Sequence, residues 1–135
     1  MDPITRIEAQ LRPIGVIVSE LKMRTGAPRQ GFEGAPDAWL ELEAWASEGL
    51  LGLEVGDEII VITWFHEARR DVLQVHPRSD PSKPLTGVFA TRSPDRPNAL
   101  GLHPVVIRAI EGRRLRIGPI EAIDQTPVVD IKPVL

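Results

Sequence analysis

"PVVIRAIEGRRLRIGPI", from Pro104 to Ile120, is the stretch on which the fold turns. Two arms rich in β-formers flank a polar turn at Glu111–Arg114, and Gly112 supplies the turn residue. This is a β-hairpin, and the segments on either side of it read in the same way. "RPIGVIVSE" (Arg12–Glu20) is a strand with Ile14, Val16 and Val18 on one face. "AWLELE" (Ala38–Glu43) alternates strictly, with Trp39 opposed to Leu40 and Leu42, as a half-buried strand does. "IIVITWF" (Ile59–Phe65) is a buried strand by length and β-branching, and it delivers His66 and Glu67 at its end. "DVLQVHP" (Asp71–Pro77), Thr86–Thr91 and "PVVDIKPVL" (Pro127–Leu135) are further strands.

Little of the chain reads as helix. "AWASEGLLGLEVGDE" suits one short helix closed by Gly52 or Gly56, with Ser47 as a cap. Residues 1–11 form an arm, and Lys22–Pro36, with three glycines and two prolines, is a loop. Short strands with a turn signal about every ten residues predict an all-β barrel or sandwich.

Composition narrows the function classes. A chain of 135 residues fits a single domain, here 1–135 with the arm included. No apolar run reaches membrane-spanning length, and "MDPITRIEAQ" lacks the apolar core of a signal peptide, so the cytoplasm is the expected compartment. With no cysteine there is no disulfide, thiolate metal site or cysteine nucleophile. The net charge is −3, but residues 1–65 carry five basic and eleven acidic groups while residues 66–135 carry eleven and eight. That split permits an anionic partner on one face without a general basic coat.

Several chemistries find no support. The histidines at 66, 76 and 103 are scattered, without metal-ligand spacing, so no metal is expected. Ser93 has no glycine elbow around it, and "GAPRQGFEG" does not lead into a helix in phosphate-binding register. What remains is a set of polar clusters at strand ends: "APRQG", "FHE", "ATRSPDRPN" and "EAIDQTP". In a barrel, strand ends gather at a rim, where concave ligand sites form. Each cluster taken alone has an ordinary structural explanation. Arg29 and Gln30 fit a solvated loop, His66 a core histidine, and Asp124 a cap for the Thr126–Pro127 turn.

Together the clusters say more. "PRQG", "WFHE", "GVFATRSPDRPNALGL" (Gly87–Leu102) and "EAIDQTPVVDIKP" (Glu121–Pro133) occur in that order. They resemble the TsaA-like (TrmO) family of S-adenosylmethionine-dependent tRNA methyltransferases, over about Ile14 to Pro133. The resemblance implies a β-barrel of six or seven strands, a homodimer, and S-adenosylmethionine bound at the rim. It also implies methyl transfer to the exocyclic amine of threonylcarbamoyladenosine, beside the tRNA anticodon. Carried over by motif, cofactor contacts fall on Pro28, Arg29 and Gln30, on His66 and Glu67, and on Arg92 and Leu102. The run Glu121, Ala122, Ile123 and Asp124 completes them.

S-adenosylmethionine is a zwitterion with a cationic sulfonium, so Arg92 suits its carboxylate, while Leu102 suits packing against the adenine. Methyl transfer to nitrogen is an in-line displacement that rests mainly on alignment. His66 and Asp124 are the candidate catalytic residues for taking the amine proton, with Glu67 also near by motif. Pro94 and Pro97 restrict the loop that carries Arg92. Arg96 and Asn98 on that loop either face the substrate or lock the loop.

The sequence departs from the family pattern at Ala99, where proline is usual, at His103 for serine, at Glu121 for aspartate, and at Val134 for tyrosine. Gln125 stands where a glycine is usual, in a place suited to positive φ. Two other functions fit the same cofactor residues: a methyltransferase with a small-molecule acceptor, and a binding module that senses S-adenosylmethionine without catalysis.

Overall fold

The computed structural model describes residues 8–24 and 27–135, so residues 1–7 of the expected arm lie outside it. Eight strands form: β1 (Gly15–Val18), β2 (Ala38–Leu42), β3 (Glu58–Trp64), β4 (Gln74–Val75), β5 (Thr86–Gly87), β6 (Leu100–Glu111), β7 (Arg114–Gly118) and β8 (Pro127–Pro133). Six of them close into an antiparallel barrel in the order β1-β2-β7-β6-β3-β8, with β8 pairing back onto β1. β4 and β5 make a separate two-stranded ribbon. The all-β barrel expected from the sequence is thus present, with six strands in its wall.

Register explains the core. Ile17 lies opposite Leu40 and Leu40 opposite Leu115, while Ile107 faces Ile117 and Ile59 faces Val105. With Val61 and Val128 these side chains fill the interior, almost all of them fully buried. Each such residue contributes about 1.5–3 kcal/mol by leaving water. The hairpin β6–β7 turns on Gly112 and Arg113, and the φ of +61° at Gly112 suits the first central position of a tight hairpin turn. Arg108 on β6 and Val129 on β8 are extra residues in their ladders, which bend the strands toward closure.

Several expectations need correction. On β1 the inward residues are Gly15 and Ile17, and the face carrying Ile14, Val16 and Val18 is only partly covered. β3 is buried on alternate residues rather than throughout, because one of its faces looks outward from the barrel. Of the expected strand Thr86–Thr91 only Thr86–Gly87 pairs, as β5, and Val88–Ala90 form a 3₁₀ turn. The reason is Arg96, whose guanidinium takes the carbonyls of Val88, Thr91 and Ser93 and leaves them no ladder to join. Likewise only Gln74–Val75 of Asp71–Pro77 pairs.

The short helix is a 3₁₀ helix, Ala44–Leu50, and Ser47 does not cap it but donates back to the Ala44 carbonyl at 2.8 Å. β8 ends at Pro133, leaving Val134 and Leu135 exposed. Among the described residues no helix is long and apolar enough to cross a membrane.

Candidate active site

Antiparallel wiring puts alternate strand ends at the same mouth. β1 and β3 leave the barrel there, β6 enters there, and β7 leaves into Pro119–Thr126. The four polar clusters are therefore neighbours, around a cleft of about 1120 Å³. Pro28, Arg29 and Gln30 line it from one loop, and His66 and Glu67 from the end of β3. Arg92, Arg96 and Asn98 line it from the proline loop, Leu102 from β6, and Glu121, Ala122 and Ile123 from the segment after β7.

Asp124 is the exception among the motif residues, since it is not in the lining. Its carboxylate accepts the Ser19 amide at 2.9 Å and the Lys22 ammonium at 3.0 Å. The Ser19 hydrogen bond first, then the Lys22 contact, holds this carboxyl below the usual aspartate range. Asp124 ties the segment after β7 to the exit of β1.

The proline loop is fastened from several sides. Besides the three carbonyls taken by Arg96, its own amide donates to the Arg69 carbonyl at 3.0 Å. Asp95 accepts the Arg69 amide at 2.8 Å and the Arg24 guanidinium at 3.4 Å. Arg70 donates Nε–H to the Pro97 carbonyl at 2.7 Å. Arg92 is left exposed on this anchored loop, without a hydrogen bond or ion pair to any described residue. His66 is likewise exposed and lines the cleft without a protein partner among the described residues. An unpaired cation on an anchored loop and an exposed imidazole thus face one cavity, whose lining includes the buried apolar residues Ala122 and Ile123.

Sequence reasoning missed four contributors. Phe89 stands 81% exposed on the lip. Arg78 and Ser79, both at φ +56°, bring the segment after β4 against the PRQG loop. There Arg78 pairs with Glu33 and Ser79 accepts from Arg29 at 3.3 Å. His103 is buried behind Glu121 and bonded to it. The departure of His103 from the family pattern was its only sequence signal.

A shallower groove of about 480 Å³ adjoins the cleft on the outer wall, lined by Trp64, Pro13, Leu11 and Val129. Arg70 stacks 5.1 Å from the Trp64 ring centre, and Asn98 and Leu100 line both cavities. Among the described residues no three His, Asp or Glu groups are gathered to hold a metal ion.

The class is that of a closed six-stranded β-barrel with an anchored, arginine-bearing loop over a ligand-sized cleft at one mouth. Residues 16–135 match the model of the tRNA-methyltransferase O N-terminal domain, and the chain belongs to that family. It is 39% identical over 128 residues to a probable S-adenosyl-L-methionine-binding protein of Methanothermobacter thermautotrophicus, covering 94% of this chain and 90% of that one. A second relative, the S-adenosyl-L-methionine-binding protein of Archaeoglobus fulgidus, is 42% identical over 123 residues, 90% and 86% of the two chains. Among solved structures, TrmO from Pseudomonas aeruginosa superposes with a TM-score of 0.76 at 32% identity, over 96% of this chain and 57% of that one. The chain therefore spans little more than half the length of that TrmO.

Proposed function

We propose that the protein is an S-adenosylmethionine-dependent methyltransferase acting on tRNA, with the exocyclic amine of threonylcarbamoyladenosine beside the anticodon as acceptor. The observation that carries this reading is the convergence of the motif residues on one cleft, with Arg92 presented unpaired by a loop that the rest of the protein holds still. The cleft fits the cofactor's chemistry. An unpaired guanidinium meets a carboxylate, a carboxylate oxygen of Glu121 remains for a hydroxyl or ammonium, and Leu102 with the apolar lining receives a flat ring.

Bound there, S-adenosylmethionine supplies a methyl group on a sulfonium. The chain's own part is to align and to dehydrate. Arg92 fixes one end of the cofactor, and only its side chain has to be ordered on binding, because Arg96 and Asp95 already hold the loop backbone. His66 is the group placed to take the amine proton, and Asp124, engaged with Ser19 and Lys22, serves structure. The outer groove beside Asn98, with Trp64 and Arg70, gives the acceptor strand an aromatic platform and a cation. Action in the cytoplasm as a homodimer belongs to the same reading.

The test is a calorimetric titration of S-adenosylmethionine into the protein and into Arg92→Ala. It is joined to a methyl-transfer assay on tRNA carrying the modified adenosine. Micromolar binding weakened at least about tenfold by the substitution, with transfer to the tRNA, is the expected result. Binding indifferent to Arg92 would sink the site. The names of the archaeal relatives favour a second reading, a binding module. It predicts tight cofactor binding and no S-adenosylhomocysteine formed with any RNA.

A further inference from the structure

Behind the cleft wall lies a chain of three side chains from three segments. Thr63 on β3, fully buried, has its Oγ1 2.6 Å from Nε2 of His103 on β6. Nδ1 of the same ring is 2.6 Å from Oε1 of Glu121, whose side chain is 14% exposed and lines the cleft. An ionised carboxylate only accepts, so in the neutral ring the proton sits on Nδ1 and Nε2 accepts from the Thr63 hydroxyl. Every buried polar atom of the imidazole is then satisfied in one direction, from Thr63 to His103 to Glu121.

The packing around the ring fixes it further. Phe65 meets it edge-on, ring centres 5.8 Å apart. Gly101 leaves the room: a Cβ there would lie 2.5 Å from Phe65, 2.6 Å from Thr63 Oγ1 and 2.8 Å from His103 Nε2. One oxygen of Glu121 is thereby pinned from within the barrel, and the other, Oε2, lies beside the PRQG loop, 3.5 Å from where a Cβ on Gly31 would stand.

We infer that His103, itself set by Thr63, is a positioning residue that presents Oε2 of Glu121 as the acceptor for a donor group of the cofactor, a ribose hydroxyl or the ammonium. This rests on the cofactor reading above. A long carboxylate such as glutamate has a rotatable extra methylene, and pinning one oxygen removes that freedom before the ligand arrives. A histidine reaching in from the core does this where a small residue at position 103 could not.

The experiment compares S-adenosylmethionine affinity by calorimetry in the wild type, His103→Asn, His103→Gln, Glu121→Gln and the His103→Gln/Glu121→Gln double variant. Melting temperatures are measured alongside. Asn retains a donor near the place of Nδ1, and Gln fills the core but puts its amide nearer the place of Nε2. The expected outcome is about tenfold weaker binding for Glu121→Gln and His103→Gln, near-normal binding for His103→Asn, and a double variant no weaker than Glu121→Gln alone.

Full additivity in the double variant, or wild-type affinity in His103→Gln while Glu121→Gln is weak, would overturn the inference and leave the cofactor site standing. No binding by the wild type would remove the cofactor reading itself. Should His103→Gln fail to fold, Thr63→Val frees the ring without touching Glu121. A loss of about threefold supports the chain, and unchanged affinity contradicts it.

Discussion

Arg78 reaches from the segment after β4 to the carboxylate of Glu33, with Nη1 3.2 Å from Oε2, and so fastens one loop of the cleft to another. Both groups are solvent-exposed enough that the pair adds little to folding. Its consequence lies in ligand retention. Arg78→Ala is expected to speed cofactor release by about threefold while the melting temperature stays within about one degree.

The Arg78 hydrogen bond lowers the Glu33 carboxyl below its ordinary value of 4.5. A depressed acid is fully ionised above its unfolded value and loses the pairing as pH falls through the lowered folded one. Release rates should therefore be flat from neutral pH down through the ordinary glutamate value and rise only as pH falls through the lowered one, and Glu33→Gln should abolish that rise. Stopped-flow dissociation across pH reads both.

Asp124→Asn separates structure from chemistry. The amide side chain keeps the shape but loses the Lys22 pairing and one acceptor role. A loss of about 1–2 kcal/mol in denaturant unfolding is expected, with the pH dependence of methyl transfer unmoved. A displaced pH–rate profile would instead return Asp124 to the list of proton acceptors. Because its folded value is depressed, its contribution is present above the ordinary aspartate range and disappears as pH falls through the lowered value.

Gln125 holds φ +67° while its amide donates to the Ile17 carbonyl at 2.7 Å. The backbone geometry is that of a glycine position occupied by a side chain. Gln125→Gly should stabilise the protein by about 1 kcal/mol and raise its melting temperature by about 3–5 °C. A fall in melting temperature would show that the side chain contributes more than the left-handed backbone costs.

RNA contact should be confined to the cleft end. β6 begins at Leu100 in the cleft wall and runs twelve residues to Glu111, so the hairpin tip lies about 35 Å away along the strand. Arg114 there is occupied by Glu41 at 3.4 Å and by the Trp39 ring at 4.2 Å. Trp64→Ala and Arg70→Ala should weaken tRNA binding with cofactor affinity kept, and Arg70→Ala should also reduce the salt dependence by about one phosphate contact. Charge reversal at Arg113 and Arg116 should leave both properties unchanged. Binding isotherms at several salt concentrations decide between them.

The parts of the fold that could be read from the sequence are those where side-chain pattern and backbone pairing coincide. The hairpin, β2, β3 and β8 alternate because each has one face in the barrel. Thr86–Thr91 also reads as a strand, yet it stops after Gly87, and Arg96, five residues beyond its end, claims the carbonyls of Val88 and Thr91. A contact made by one guanidinium across a loop leaves no periodic trace.

The site shows a similar division. The motif residues that line the cleft run in sequence order from Pro28 to Ile123. Asp124 shares their motif, but a hydrogen bond to Ser19, 105 positions away, turns it from the cleft. His103 works in the opposite sense, a core position by pattern whose partner Glu121 lies in the cleft wall.

Closure of β8 onto β1 also constrains how two copies can meet. Every strand of the ring has a neighbour on both sides, so a second copy meets only short unpaired stretches there, such as the side of β8 beyond Val128 where β1 no longer pairs. It can bind through side chains on the outer wall, or through the ribbon β4–β5, a separate two-stranded sheet outside the barrel. That ribbon leads into the segment carrying Arg78 and Ser79. Association by that route would press on the cleft, while association through the wall would leave it free.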